Sequence, residues 1–343
     1  MPMTIRDIAE MARVSKGTVS KVLNDAPGVG EDTRRRVLKL IESLDFHPNA
    51  TARGLAARRA NALGFVIPHT GRYTLSSTFW PSLLTVITEE ANARGINVLL
   101  STSSAEGNID SAFRAVLKGR RIDGAIIGAE QFGERQLAEL LMKSLPFVMV
   151  GKSPHLSSHF VDVDHLRGSQ MAAELLLDLG HRSIGVLAGS ASLPYVPERI
   201  RGFGQTVSER GVEAPVVRHC AYVTEEATRV TRELLIEHPE VTALYLAAGD
   251  FVVGALAGCA DAGRAVPRDI SLLSFDDHPF FPHLTPPITA VGQPLEEMGR
   301  AAVDMLFELM AGRKPDPATV VLPPRLAQRG SCAPPYALAK TPR

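Results

Sequence analysis

The sequence has little that would mark a secreted, membrane-embedded or metal-binding protein. Its 343 residues include three cysteines, an odd number that fits a reducing compartment, and their wide spacing gives no metal-ligand pattern (Cys220, Cys259 and Cys332). No apolar run reaches the roughly 18 residues that a membrane span needs, and the N-terminus lacks the apolar stretch of a signal peptide. We therefore expect a cytoplasmic protein without membrane association.

Catalytic motifs are missing as well. The sequence has no Gly-x-x-x-x-Gly-Lys-Ser/Thr loop, no Gly-x-Gly-x-x-Gly after a predicted strand and no Gly-x-Ser-x-Gly elbow. One stretch is rich in ligand-type side chains, but it falls in a predicted loop and strand rather than on one helix face: His155, His159, Asp162, Asp164 and His165. We expect neither catalysis nor a cofactor, and no metal.

The formal net charge of zero hides an asymmetry along the chain. Residues 1–60 carry 11 of the 37 basic and 7 of the 37 acidic side chains, a balance of +4, so the remainder carries −4. A basic N-terminal segment on an acidic body is the pattern expected when only that segment meets a polyanion. Because hydrophobic residues make up 45% and charged residues 22% of the chain, the body can bury a large core.

Three short helices are predicted within residues 1–48, the first domain. Thr4 and Asp7 have the spacing of a capping box before the first helix, and Ser15 is a good N-cap for the second. The second helix turns polar residues away from its apolar stripe: Lys16, Gly17, Ser20 and Lys21. A third helix is expected at 32–44. Two short helices joined by a tight turn are typical of a helix-turn-helix that enters a major groove, and a plain three-helix bundle is the alternative.

The remainder alternates short apolar runs with amphipathic segments, which predicts parallel sheets covered by helices on both faces. Strands are expected at 62–67, 96–101, 122–127, 147–150, 183–188, 241–247, 270–275 and 288–291. Helices are expected at 79–94, 108–119, 134–143, 166–179, 197–210, 225–237, 250–262 and 295–311. Polar residues that follow strands are candidates for a ligand site, because open parallel sheets bind ligands at the carboxyl ends of their strands. They include Asp250, Asp276 and Asp277, and Arg199 lies near a helix start.

Motifs in both parts of the chain resemble one known family. They are Thr4-Ile5-Arg6-Asp7-Ile8-Ala9, Val14 to Asn24, Thr33 to Val37, His47-Pro48-Asn49, Gly180 to Ile184, Arg199 with Gly202-Phe203, Phe275-Asp276-Asp277 and Leu284 to Thr289. They are similar to those of the lactose-repressor/galactose-repressor (LacI/GalR) family of bacterial transcriptional regulators, and the resemblance runs through residue 330. It implies an all-α helix-turn-helix head plus an α/β body, two-lobed, with parallel sheets like those of periplasmic binding proteins.

The resemblance also implies domain bounds. The helix-turn-helix domain spans 1–48, a hinge helix or linker spans 49–60, and an effector-binding domain spans 61–330. Its two lobes comprise about 61–160 with 292–322, and 161–291 with 323–330. Residues 331–343 are expected to form a disordered tail without leucine heptads, so a homodimer is expected rather than a tetramer held by a coiled coil.

For DNA, the resemblance places Lys16, Gly17 and Lys21 at base edges of an inverted-repeat operator. Because Gly17 has no side chain, the two lysines would carry most direct readout, with guanine O6 and N7 as acceptors. In the hinge, Leu55 matches an apolar wedge that opens a base step in the minor groove, and a flexible linker with an incidental leucine is the alternative. The remaining expected DNA-binding residues contact phosphates or the minor groove, or brace the turn: Thr4, Ser15, Thr18, Ser20, Asn24, Asn49 and Arg53.

For the effector, the resemblance implies that Arg199 and Asp276 make paired polar contacts to a small molecule between the lobes. Planar donors and acceptors suit the vicinal hydroxyls of a sugar. The other expected contacts are Phe79, Trp80, Lys152 and Gly249. Gly249 stands where the family often has a ligand-contacting Asn, and Gly151-Lys152 where Asp-Arg is common, so Lys152 raises the alternative of an acidic or phosphorylated sugar.

Several alternatives stay open at this point. Burial in the lobe core is the alternative for Phe79 and Trp80, and a nucleobase is a further alternative for the effector. A sugar-processing enzyme with a fused DNA-binding head and a periplasmic sugar-binding protein are the alternative classes. Sequence does not distinguish a repressor from an activator, although a repressor is the expectation.

Overall fold

The structure is a computed structural model, and it describes residues 3–23, 25–44, 46, 60–67, 78–102, 121–129, 133–153 and 159–335. The chain divides into two compact units, Met1–Ala60 and Asn61–Arg343.

The first unit contains the three predicted helices, α1 (Ile5–Met11), α2 (Lys16–Leu23) and α3 (Glu31–Ser43). The capping box forms as expected: the Thr4 backbone N–H donates to Asp7 Oδ2 at 2.7 Å, and the Thr4 hydroxyl accepts the Asp7 N–H. The helices enclose a small apolar core formed by fully buried side chains: Ile8, Val19 and Val37. The described residues of this unit therefore form a three-helix arrangement with a defined turn between α1 and α2.

The second unit contains two parallel α/β lobes. The first lobe holds β1 (Ala62–Ile67), α4 (Phe79–Ala93), β2 (Asn97–Thr102), β3 (Gly124–Gly128), α5 (Glu134–Lys143), β4 (Phe147–Val150), β5 (Phe160–Val163), α10 (Leu295–Met310) and β11 (Thr319–Leu322). The second holds α6 (His165–Asp178), β6 (Ile184–Ala188), α7 (Tyr195–Glu209), β7 (Val216–His219), α8 (Thr224–Glu237), β8 (Ala243–Leu246), α9 (Val252–Asp261), β9 (Ser271–Phe275), β10 (Thr289–Gly292) and β12 (Arg325–Ala327).

Each lobe is built on a six-stranded sheet. The strand order is β11-β5-β4-β3-β1-β2 in the first lobe and β12-β10-β9-β8-β6-β7 in the second. All pairs are parallel except β10 with β12. The chain crosses between the lobes after β5, after β10 and after β11, within the described residues. Because α10 returns to the first lobe, its Met298, Val303 and Leu306 pack into that lobe's core.

Two sequence predictions are corrected here. The strand at Phe160–Val163 pairs with β4 and β11, so the first lobe extends to about residue 163 rather than ending at 160. Four strands escaped prediction because they lack a continuous apolar run: β7, β11 and β12 lie at sheet edges with no fully buried side chain, and Asp162 interrupts β5. The predicted helix at 108–119 and the hinge at 49–60 lie largely or wholly outside the described residues. No described helix is long and apolar enough to cross a membrane.

The expectation of a disordered tail from residue 331 is wrong at its beginning. Ser331 is fully buried, donates through Oγ to the carbonyl of Leu272 and accepts the backbone N–H of Thr289 at 2.8 Å. Ala333 exchanges hydrogen bonds with the hydroxyl of Ser271. Residues 331–333 therefore lie against the starts of β9 and β10, where they satisfy polar groups that would otherwise lack partners.

Candidate functional site

The outer face of α2 carries the residues predicted to read DNA. Lys16, Gly17 and Lys21 are exposed, whereas Val19 and Val22 are buried beneath them. Amphipathic spacing alone produces this division, because positions three and four apart share one helix face.

The start of α2 is fixed by side-chain hydrogen bonds. Ser15 Oγ accepts the backbone N–H of Thr18 at 3.1 Å and lies 2.9 Å from the Thr18 hydroxyl. After α2, Arg34 donates to the Asp25 carboxylate and to the Ala26 carbonyl at 2.8 Å, which closes the turn before α3. Both lysines thus project from a helix held at each end. The predicted contacts Asn24, Asn49, Arg53 and Leu55 lie outside the described residues.

In the second lobe, the structure brings Arg199 and Asp276 together. Arg199 lies in α7 and Asp276 directly follows β9, and Arg199 Nη1 lies 3.3 Å from Asp276 Oδ2. Nη1 also donates to the carbonyl of Ala247 at 2.7 Å, and Nε donates to His165 Nδ1 at 3.3 Å. Nη2 takes no partner among the described residues, so the guanidinium keeps donor capacity for a ligand.

Aromatic rings hold the guanidinium of Arg199 in place. Its central carbon lies 3.7 Å from the centroid of Phe275 and 4.6 Å from that of Tyr195. Burial by itself lowers the pKa of Arg199, but the charge of Asp276 and the nearby tyrosines outweigh it, and the net shift is upward. Arg199 is therefore a fixed, charged side chain at 2% exposure.

Asp276 is held in an uncommon backbone conformation, with φ at +71°, that turns its carboxylate toward the strand ends. Oδ1 accepts from Gln293 Nε2 at 2.5 Å, and Oδ2 accepts the backbone N–H of Gly249 at 3.4 Å. Burial by itself raises the pKa of Asp276, but Arg199, then Gln293 and His278, hold it below its ordinary value. A buried ion pair with several supporting hydrogen bonds results, which is the arrangement that a polar ligand site needs.

Gly249 has a steric explanation in this chain. A Cβ at this position would lie 2.4 Å from Nε2 of His278, so the imidazole occupies the place of the Asn side chain expected from the resemblance. His278 is 5% exposed and stacks on Phe281, with ring centroids 4.9 Å apart. Gly249 contributes its backbone N–H to Asp276 and no side chain.

Trp80 and Lys152, two other predicted contacts, are engaged by groups of the protein itself. Trp80 is 4% exposed and packs against Phe65 in the core of the first lobe, so its indole does not line a ligand surface here, whereas Phe79 is only half-buried. Lys152 follows β4, and its Nζ lies 3.4 Å from a carboxylate oxygen of Glu198 in the other lobe. Its charge is thus already compensated across the two lobes.

Comparison with known proteins agrees with both units. The model of bacterial regulatory proteins of the lacI family matches residues 4–49, and that of the periplasmic binding protein-like domain matches residues 173–332. The HTH-type transcriptional regulator reg1 of Streptomyces lividans is 31% identical over 346 residues, which cover 97% of each chain. The chain belongs to the LacI family.

Solved structures extend this LacI-family assignment to the whole fold. The lac repressor dimer bound to operator and the anti-inducer ONPF has a TM-score of 0.86 at 25% identity, covering 97% of this chain and 100% of that one. The complex of the transcriptional regulator CelR with cellobiose has a TM-score of 0.74 at 27% identity, covering 96% of this chain and 99% of that one. The predicted fold class, a helix-turn-helix head on a two-lobed α/β body, is confirmed.

Sequence reasoning missed several side chains around Arg199 and Asp276. Gln293 follows β10 and could have been found by the same strand-end rule as Asp276. Tyr222 follows β7, a strand that was not predicted, and its hydroxyl lies 2.8 Å from that of Tyr195. His165 was considered only as part of a metal cluster; no group of three or more His, Cys, Asp or Glu that could hold a metal occurs among the residues described.

Proposed function

We propose that this LacI-family regulator is a repressor that binds an inverted-repeat operator as a homodimer. A small neutral sugar that binds between its lobes would change the affinity for the operator, either releasing the DNA or strengthening its binding. The observation that carries the effector site is the buried Arg199–Asp276 pair, which offers an unengaged guanidinium nitrogen beside a carboxylate. Such a pair can donate to one hydroxyl of a vicinal diol and accept from the next.

A neutral effector is favoured over an acidic or phosphorylated one by the charge pairing of the site. Arg199 is neutralised by Asp276, and Lys152 by Glu198 at 3.4 Å, so neither of these two cations is left for an anion. Bringing an anion to this pair would leave a carboxylate uncompensated, at a cost of several kcal/mol in a buried setting. The CelR–cellobiose complex, a structure of a relative, supports a sugar over a nucleobase.

The DNA part of the proposal rests on α2. One helix-turn-helix reads one half-site, so a two-fold protein requires a two-fold sequence. The exposed Lys16 and Lys21 favour guanines in each half-site. The operator-bound lac repressor dimer supports the same arrangement. Footprinting of selected genomic fragments, with sedimentation of the complex, tests this: a monomer on an asymmetric site would refute it.

The effector is found by measuring the unfolding temperature of the purified protein with neutral sugars (cellobiose, maltose and D-ribose), acidic ones (gluconate and glucose 6-phosphate) and a purine base. A ligand at 100 times its Kd stabilises the folded state by about 2.7 kcal/mol, which gives a clear shift. Operator gel shifts with and without each stabilising compound then show release or enhancement. Stabilisation by gluconate or glucose 6-phosphate alone would overturn the neutral assignment.

A further inference from the structure

A buried histidine joins the effector pair to the other lobe. His165 is 5% exposed and is the first residue of α6. Its Nδ1 lies 3.3 Å from Nε of Arg199, and its Nε2 lies 3.2 Å from Oδ1 of Asp162. An arginine only donates hydrogen bonds, so Nδ1 must accept, and the ring proton must sit on Nε2 and point to Asp162. The neighbours therefore determine the tautomer.

Asp162 anchors this histidine in the first lobe. It lies in β5, its Oδ1 accepts the backbone N–H of Val163 at 2.9 Å, and its Oδ2 accepts the backbone N–H of Lys152 at 3.2 Å. The contacts thus run from the guanidinium of Arg199 through the imidazole to the ends of β4 and β5. Because the chain crosses between the lobes directly after β5, this path lies at a lobe connection.

Close packing of two helices sets the distance between the histidine and the arginine. A Cβ at Gly202 of α7 would lie 2.4 Å from the carbonyl oxygen of Leu166 in α6. Only glycine permits this approach, which brings Arg199, one turn before Gly202, to His165. The imidazole also lies against Tyr195 and Phe275, with centroids 5.6 and 5.7 Å apart, and these rings flank the guanidinium as well.

We propose that His165 is a positioning residue that orients Arg199 for the effector and ties that orientation to the first lobe through Asp162. The proposal rests on the effector site described above. His165 fixes Nε, and the carbonyl of Ala247 and Asp276 fix Nη1, so that Nη2 is presented in one direction. A ligand that shifts the guanidinium then acts on Asp162 and on the backbone of Lys152.

Burial, aided by the charge of Arg199, keeps the His165 ring neutral against the two carboxylates that face it. Asp162, Arg199 and Asp276 face it. Burial, and then Arg199, lower the pKa of His165, while Asp162 opposes the shift. A neutral imidazole is the form that accepts from Arg199, so the contact holds at pH 7.

The test compares His165→Gln with His165→Leu in the full-length protein. Glutamine can accept from Arg199 through Oε1 and donate to Asp162 through Nε2, whereas leucine can do neither. Long-range 1H–15N spectra of the wild type at pH 7, without any sugar, should show His165 neutral and protonated at Nε2. The Arg199 Nε–H signal, assigned from its loss in Arg199→Lys, should be protected from exchange in the wild type and the Gln variant but not in the Leu variant.

Titration with cellobiose, maltose and D-ribose gives the functional readout. For whichever of them binds the wild type, we expect the Leu variant to lose about tenfold or more in affinity, because a hydrogen bond to a charged group is removed, and the Gln variant to retain most of it. A proton on Nδ1, or an Arg199 signal unchanged in the Leu variant, would overturn the positioning role. If none of the sugars binds the wild type, the proposed function fails, while the spectra still decide the role of His165.

Discussion

At the residue scale, the proposed effector site depends on the fork geometry of one guanidinium. Lysine at position 199 would keep the charge near Asp276 but could not donate to His165, Ala247 and Asp276 together. We expect Arg199→Lys to weaken sugar binding by about 10- to 100-fold, the loss of one or two charge-assisted hydrogen bonds. Titration calorimetry measures it, with Arg201→Lys, an exposed residue of the same helix, as the control. Equal affinity in both variants would place the effector elsewhere.

Variants of the ion pair between Lys152 and Glu198 distinguish a neutral effector from an acidic one. Its side chains are 40% and 27% exposed, so the pair contributes at most about 1 kcal/mol to stability. We expect Lys152→Met to leave the affinity for a neutral sugar within about threefold, a change below 1 kcal/mol. Glu198→Gln should raise affinity for gluconate, because it frees the ammonium of Lys152. A large loss of neutral-sugar binding in Lys152→Met would show that this lysine contacts the ligand directly.

At the element scale, the approach of α6 and α7 can be tested with two glycines of one helix. A Cβ added at Gly202 would lie 2.4 Å from the carbonyl oxygen of Leu166, whereas a Cβ added at Gly204 would have no neighbouring atom within 4 Å. Gly204→Ala should stabilise the protein by up to about 1 kcal/mol through helix propensity. Gly202→Ala should destabilise it by about 1–3 kcal/mol and reduce the sugar response, because α7 carries Arg199 away from His165.

Urea unfolding and sugar titration of both variants provide the check. A Gly202→Ala variant that matches Gly204→Ala in both measurements would show that α7 can move away from α6 without disturbing Arg199.

The exposed lysines of α2, proposed above to read bases, allow a separate prediction. Lys21→Ala should weaken specific operator binding by about 1–3 kcal/mol and relax the preference at one guanine in each half-site. Lys39→Ala, an exposed lysine of α3, is the matched control and should change specific and non-specific binding alike. Gel shifts on operator and on scrambled DNA distinguish the two. Equal losses on both DNAs in Lys21→Ala would limit Lys21 to phosphate contact.

Sequence patterns predicted the long amphipathic helices and the fully apolar strands well, because local periodicity determines them. Sequence patterns fail where a short strand pairs with a distant part of the chain. β11 and β12 have only four and three residues and gain their strand conformation from partners far away in the chain, β5 and β10. The family resemblance implied that Arg199 and Asp276 both contact a ligand. Their contact with each other, and the contact of Arg199 with His165, join segments that are distant in the chain and have no local signal.

At the scale of the whole molecule, His181 ties the C-terminal segment to the second sheet. Its Nδ1 lies 2.8 Å from the Thr242 hydroxyl, and its Nε2 lies 3.0 Å from both the Ser271 hydroxyl and the Ala333 carbonyl. Thr242 immediately precedes β8 and Ser271 begins β9, so one imidazole connects two strand starts with the chain end. This explains why residues 331–333 are ordered although their composition suggests a tail.

Burial, opposed by the hydrogen bond to Ala333 and aided by Arg182, lowers the pKa of His181 to about 4. An unfolded histidine titrates near 6.5, so between these values the unfolded chain binds more protons, and stability rises with pH. The contribution is fully present above pH 6.5 and is lost as pH falls toward 4. We expect the free energy of unfolding of the wild type to fall by about 2 kcal/mol more than that of His181→Gln between pH 7 and 4.5, the difference that this pKa shift implies.

Urea unfolding of both proteins at the two pH values measures this difference. Because His165 is present in both proteins, its contribution cancels in the comparison. If the Gln variant loses as much stability as the wild type, His181 must take up its proton over the same pH range in the folded and the unfolded chain, and burial does not exclude the charged form.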